Sequence, residues 1–266
     1  MLRSINEIIG YGLFAEGKDI GKCKDLLFDD RWWTIRHLVT DTEGWLLGKK
    51  VLVSPLMIEV VDWVSKQIIL NITQKQLENC PDPEEDETVS RVHEKKLFSY
   101  YGYADYWNGN LLWGVASYPE PIANVPVIDS EAQEDPEDYE QNNFLRSFKE
   151  VKSYTIKATD GDIGHVEDFI IDDKTWAIRY VVVDTRDWLP GGKKVLLSMN
   201  WVEDVSWTER CLSVSLTVEQ VRNSPEFDPE KPVNIEYETR LYDYYGRPFE
   251  KSITKKLQEM IGNPFL

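Results

Sequence analysis

Cysteine, histidine and positive charge are all scarce in this 266-residue chain, and each shortage excludes something. Its three cysteines, Cys23, Cys80 and Cys211, are odd in number and widely spaced, and none forms a C-x-x-C pair. Such usage fits neither a disulfide framework nor a zinc site and points to a reducing, cytoplasmic setting. His37, His93 and His165 have no His, Cys or carboxylate at a recognised metal-ligand spacing, so they read as structural or solvent-facing. No G-x-S-x-G, P-loop or G-x-G-x-x-G occurs, which removes the common signatures of hydrolases and nucleotide-binding enzymes. Lys and Arg number 30 against 47 Asp and Glu, for a net charge of −17 and a pI near 4.7. Non-specific nucleic-acid binding runs on cations that neutralise phosphates, so no nucleic-acid partner is expected. No apolar run approaches the ~20 residues that span a bilayer, and Met1 to Glu7 leads into polar sequence without an apolar signal core. Direct membrane insertion is therefore not expected.

What the chain has in quantity is apolar and aromatic residues, and a repeat. Hydrophobic residues make up 42%, with 10 Trp and 13 Tyr, enough to build folded cores. Gly21, Asp25, Asp29-Asp30, Trp33, Ile35-Arg36, Asp41-Thr42, Trp45-Leu46 and Lys49 to Leu52 recur as Gly164, Asp168, Asp172-Asp173, Trp176, Ile178-Arg179, Asp184-Thr185, Trp188-Leu189 and Lys193 to Leu196. The offset is 143 residues and becomes 144 after one extra glycine in the second copy. Leu2-Arg3-Ser4 answers Leu145-Arg146-Ser147, and Tyr100-Tyr101-Gly102 answers Tyr244-Tyr245-Gly246. Units of about 100 residues are duplicated domains, not solenoid repeats. The division is 1–104 for the first repeat, 105–144 for a linker that is aromatic, then proline-containing, then acidic, 145–248 for the second repeat, and 249–266 for a C-terminal helix or tail.

Within each copy the residues alternate as strands do. Asp29-Asp30-Arg31 and Asp172-Asp173-Lys174 interrupt such runs as hairpin turns. The run Ile178 to Val183 reads as a strand buried on both faces. Several short strands at close spacing suggest a small antiparallel barrel, which removes sheet edges by closing. Thr73-x-x-Gln76 and Thr217-x-x-Gln220 are capping boxes that start short helices. Second helices follow from Ser90 to Tyr101 and from about Asn234 to Tyr245, each stopped by a glycine. Ile253, Leu257 and Ile261 lie at helical spacing. The fold class is mainly β with short helices, as two tandem small antiparallel barrels related by a pseudo-twofold axis.

The pattern G-x-x-x-D-x-x-x-D-D-x-x-W-x-I-R-x-x-x-x-D-T-x-x-W followed by K-K-V-L-x-S, present twice in register, resembles the PRC-barrel family. The resemblance covers about three quarters of the chain and implies a small β-barrel found in three settings: the cytoplasmic domain of the H subunit of purple-bacterial photosynthetic reaction centres, the C-terminal domain of a ribosome maturation factor, and stand-alone bacterial and archaeal proteins. The theme it implies is protein–protein assembly with no shared catalytic residues. This chain departs from the H subunit in having no transmembrane helix, and from the maturation factor in its acidity and in lacking that protein's N-terminal domain.

No catalytic, cofactor-binding or metal-binding residue is assigned. The Asp-Asp pairs offer oxygens to Ca²⁺, but two adjacent aspartates supply too few, and turn chemistry accounts for them better. Arg36 and Asp41, like Arg179 and Asp184, are five apart and face opposite sides of one strand, so each pairs elsewhere. Trp45 and Trp188 sit in turns, and Trp107 and Trp113 flank a turn-rich stretch. These four either fold back on a core or present a contact, and they form the candidate interaction surface. The expected function is a non-catalytic scaffold, an internal pseudo-dimer with a protein partner and with homo-oligomerisation left open. The alternatives are an accessory that docks on a membrane photosynthetic electron-transfer complex, and a metal- or small-ligand sensor. No enzyme activity and no cofactor are expected.

Overall fold

A computed structural model describes residues 1–42, 50–81, 89–121 and 145–249. In chain order these form β1 (Leu2–Ser4), α1 (Ile5–Ile8), β2 (Gly12–Ala15), β3 (Lys18–Asp29), β4 (Thr34–Asp41), β5 (Lys50–Val53), β6 (Ile58–Asp62), β7 (Gln67–Leu70), α2 (Gln74–Glu78) and α3 (Arg91–Tyr101). The second repeat supplies β8 (Leu145–Ser147), α4 (Phe148–Val151), β9 (Thr155–Ala158), β10 (Gly161–Asp172), β11 (Ile178–Asp184), β12 (Lys194–Ser198), β13 (Val202–Ser206), β14 (Cys211–Val214), α5 (Val218–Arg222) and α6 (Ile235–Tyr245). The fold is mainly β with short helices, and among the described residues there are two seven-stranded sheets. The C-terminal segment Glu250–Ile261, the acidic run Ser130–Glu140, most of the proline-rich stretch Tyr118–Val127 and the Glu43–Trp45 turn lie outside the described residues.

The first sheet runs β5-β4-β3-β2-β7-β6, and the second runs β12-β11-β10-β9-β14-β13. Both differ in two details from a closed antiparallel barrel. Among the described residues neither path closes on itself by hydrogen bonds, and each contains one parallel pairing, β2 with β7 and β9 with β14. The two ends of each path are consecutive in the chain and are joined by a single 3₁₀ turn, Pro55–Met57 or Met199–Trp201. The chain itself turns the corner that a ladder would otherwise close. The serine of the K-K-V-L-x-S pattern caps that turn: Ser54 Oγ accepts from Leu56 N at 3.3 Å, and Ser198 Oγ accepts from Asn200 N at 3.3 Å.

β3 and β10 are twelve residues long and organise everything else. β2 pairs with Lys18–Lys22 of β3 and β4 runs along its other edge, so beyond Lys22 the β2 side of β3 has no further strand from its own repeat, and this gap includes Leu27–Asp29. β8 fills that gap in the register Leu27↔Ser147, Phe28↔Arg146, Asp29↔Leu145. In the other sheet β1 fills the matching gap on β10, in the register Leu2↔Asp172, Arg3↔Ile171, Ser4↔Ile170. The Leu-Arg-Ser arm of each repeat therefore completes the sheet of the other. The compact units follow the exchange rather than the linear repeats. One holds Glu7–Phe148 with Lys174–Trp176, and the other holds Met1–Asn6, Lys149–Asp173 and residues from Ala177 onward. An uncovered strand edge is a template for unwanted pairing, and the arms remove it.

The pattern glycines answer a close approach. Gly21 and Gly164 have φ of +129° and +153°, and a Cβ added there would lie 2.0 Å from the Asp41 carbonyl oxygen and 2.1 Å from that of Asp184. No side chain is admitted without moving the neighbouring strand. Gly164→Ala is expected to destabilise its unit by about 3 kcal/mol or more, read as a lower urea midpoint at unchanged slope; an unchanged midpoint would refute this account of the glycine. Both capping boxes form as expected, and both Gly102 and Gly246 end their helices in the left-handed conformation.

Candidate functional site

The D-x-x-x-D-D stretch along β3 and β10 is the clasp that holds the exchanged arm. Asp25 Oδ2 accepts from Ser147 Oγ at 2.5 Å, and Asp30 Oδ2 accepts from Arg146 Nε at 2.8 Å. Asp29 Oδ1 accepts from Arg31 N at 2.8 Å and so makes the hairpin turn. In the second unit Asp168 accepts from Ser4 Oγ, from Asn6 N at 3.1 Å and from Phe169 N at 2.8 Å. Asp173 meets the Met1 ammonium, and its carboxylate lies 3.9 Å from Arg3 Nε. Burial raises the Asp168 carboxyl to about 6 against the lowering pull of its hydrogen bonds, and burial likewise raises Asp30. Asp29 makes the turn that the sequence suggests for the Asp-Asp pair. Asp25, Asp30, Asp168 and Asp173 read the Arg and Ser of the arm, which sequence spacing does not reveal.

A second feature belongs to the first repeat alone. Arg36 is fully buried on β4, where its Nη1 donates to Leu112 O at 2.6 Å and its Nη2 lies 3.5 Å from Asp29 Oδ2. Its guanidinium stacks on Tyr106 at 3.9 Å and on Trp113 at 4.8 Å. Beside it Glu94 of α3 accepts from Tyr106 Oη at 2.9 Å and from Arg91 Nη1 at 3.0 Å, with His37 Nε2 2.9 Å away. Two guanidinium groups and two carboxylates balance in charge, as burial requires. Desolvation lowers the Arg36 pKa and pushes the Tyr106 hydroxyl well up, which keeps the phenol a donor. Asp105 to Ala116 straps the cluster shut, and Trp113 Nε1 donates to Thr175 O at 2.9 Å. At the equivalent positions of the second repeat Tyr180 stands for His37 and Ile235 for Arg91, and Tyr180 Oη donates to Glu238 at 2.6 Å. The strand-to-helix bond is retained with simpler chemistry.

The structure separates the candidate tryptophans. Trp113 is buried as part of the strap, and Trp107 is half-buried beneath Arg91, 4.2 Å from its guanidinium. Trp188 is 43% exposed in the turn after β11 and belongs to the other unit. Trp45 lies outside the described residues. Trp188 is thus the one described candidate that presents itself to solvent. The Asp-Thr pair ahead of it is structural: Thr185 Oγ1 donates to Lys193 O at 2.8 Å, and Arg186 holds Asp184 down at about 2. Asp41 pairs with Lys24 at 3.8 Å, so Arg36 and Asp41 do find separate partners. His165, Glu167 and Asp184 bring ligand atoms within 4.8 Å of one another. Arg186 and Lys194 already neutralise those carboxylates, and the first repeat has Lys22 and Lys24 at the first two positions.

Sequence reasoning missed the His37–Glu94 and Arg36–Tyr106 contacts because the partners are 57 and 70 positions apart, although Glu94 and Glu238 share the repeat spacing. Among the described residues no helix is long and apolar enough to cross a membrane. A family model described as the PRC-barrel domain matches residues 2–77 and again 147–210. No curated protein matches the chain.

Proposed function

The chain belongs to the PRC-barrel domain family, and from that membership we propose that it works as a non-catalytic assembly scaffold whose two repeats form an internal pseudo-dimer. The observation that carries this reading is how the ionisable side chains of the repeat pattern, and of the buried cluster around Arg36, are used. Asp25, Asp30, Asp168 and Asp173 hold the exchanged arms. Arg36, His37 and Glu94 are sealed within the fold. An active site needs convergent titratable groups that a substrate reaches, and these groups are engaged in holding the repeats in shape. The exposed Trp188 turn is the contact this reading favours, since tryptophan is enriched among the residues that dominate interface binding energy.

The test is affinity capture of the full-length protein from its host after mild cross-linking, alongside a Trp188→Ala version. A discrete assembly held by the wild type and lost with W188A is the expected result. If that assembly is a membrane electron-transfer complex, the scaffold acts as its accessory. Identical background recovery from both versions would overturn the reading.

A further inference from the structure

We propose that a second copy of this chain is a partner, joined by exchange of whole repeats: the first repeat of one copy assembles with the second repeat of another. The two repeats are complementary fragments. Residues 1–6 are built into the sheet of β10, while Leu145–Phe148 and Lys174–Trp176 are built into the unit of β3. Neither repeat holds all the pieces of a finished unit. What a repeat needs is the other repeat, and residues 122–144 are the only covalent connection between the two described halves.

The contacts that complete each unit carry no mark of which chain supplies them. In an exchanged pair every one of them is regenerated: the β1 and β8 ladders, the Ser4–Asp168 and Ser147–Asp25 bonds, the Arg146–Asp30 pair, and the Ile35 N to Trp176 O bond of 2.9 Å. Exchange of identical elements is a low-cost route to dimers because it creates no new interface chemistry. What opposes it is the effective concentration that tethering gives one repeat at the other, on the order of millimolar. Dilute chains therefore close on themselves, and concentrated chains pair. Exchange requires both units to open, so a population formed during folding at high concentration persists on dilution.

The β1–β10 ladder supplies a reporter. Asp173 N donates to Met1 O at 2.9 Å, so the neighbouring pair Leu2 and Asp172 is a non-hydrogen-bonded pair, with Cα atoms about 4.5 Å apart, within disulfide reach. A full-length Leu2→Cys chain and a full-length Asp172→Cys chain are refolded together at about 1 μM and at several hundred μM, then oxidised and diluted. The expected result is a disulfide-linked heterodimer at high concentration, at least tenfold more abundant than at low concentration and than in either chain refolded alone. The L2C/D172C double variant is expected to close within one chain at low concentration. Two results overturn the proposal: a mixture that stays unlinked at every concentration while the double variant closes, or a double variant that fails to close, which would remove the β1–β10 pairing itself.

Discussion

Removing the charge of Glu94 is expected to destabilise the first unit by about 3 kcal/mol, close to the loss measured when one partner of a buried ion pair is deleted. Glu94 accepts from Tyr106 and Arg91 and lies 2.9 Å from His37 Nε2, at 1% exposure. Glu94→Gln keeps the volume but leaves two buried guanidinium groups against Asp29 alone, and it aims an amide N–H at the donors of Arg91. The comparison is Glu238→Gln in the second repeat. There the carboxylate is half-buried and takes one bond from Tyr180, at 2.6 Å, so a loss of about 1 kcal/mol is expected. Urea unfolding of the two variants, each unit followed by its own amide exchange, separates the values. Equal losses would show that the cluster in the first repeat is no more than another strand-to-helix hydrogen bond.

That asymmetry marks where sequence reading stopped. Helix ends were legible because capping is local: Thr73 and Thr217 find glutamines three residues on, and Gly102 and Gly246 sit where the left-handed turn is needed. The repeat was legible because duplication leaves a constant offset. The arm exchange was not, because Leu-Arg-Ser has the same alternation whichever sheet it joins, and three residues carry too little pattern to choose an edge. The aspartates were read as turn formers, which Asp29 is, but the Arg and Ser they hold lie more than a hundred residues away. Trp107 and Trp113 left two readings open, a strap or a knob. Trp113 resolves as a strap because its indole N–H finds the Thr175 carbonyl and its ring lies over Arg36. The partners of Arg36 and Glu94 are tertiary, and no local rule points to them.

The arm clasp of the second unit is expected to weaken as pH rises through about 6. Asp168 is buried beside Ser4 and Asn6, and desolvation lifts its carboxyl to about 6 although three donors favour the anion. A carboxyl raised above its unfolded value of 3.8 binds its proton more tightly in the folded state. Its contribution is therefore fully present below pH ~4 and is lost as pH climbs through 6, up to about 3 kcal/mol. Asp184, held down at about 2 by Arg186, acts in the opposite sense and only as pH falls through 2, so the two windows do not overlap. Asp168→Asn mimics the protonated acid: its Oδ1 accepts the Asn6 and Phe169 amides while its Nδ2 donates to the Ser4 hydroxyl. D168N is expected to match the wild type at pH 4.5 and to exceed it at pH 7.5 by one to about 3 kcal/mol. Amide exchange along Leu2–Asn6 reads the same change locally as faster opening of the wild-type arm at the higher pH. A D168N protein less stable than the wild type at pH 7.5 would mean that the three donors outweigh burial, and that the clasp holds a carboxylate by design.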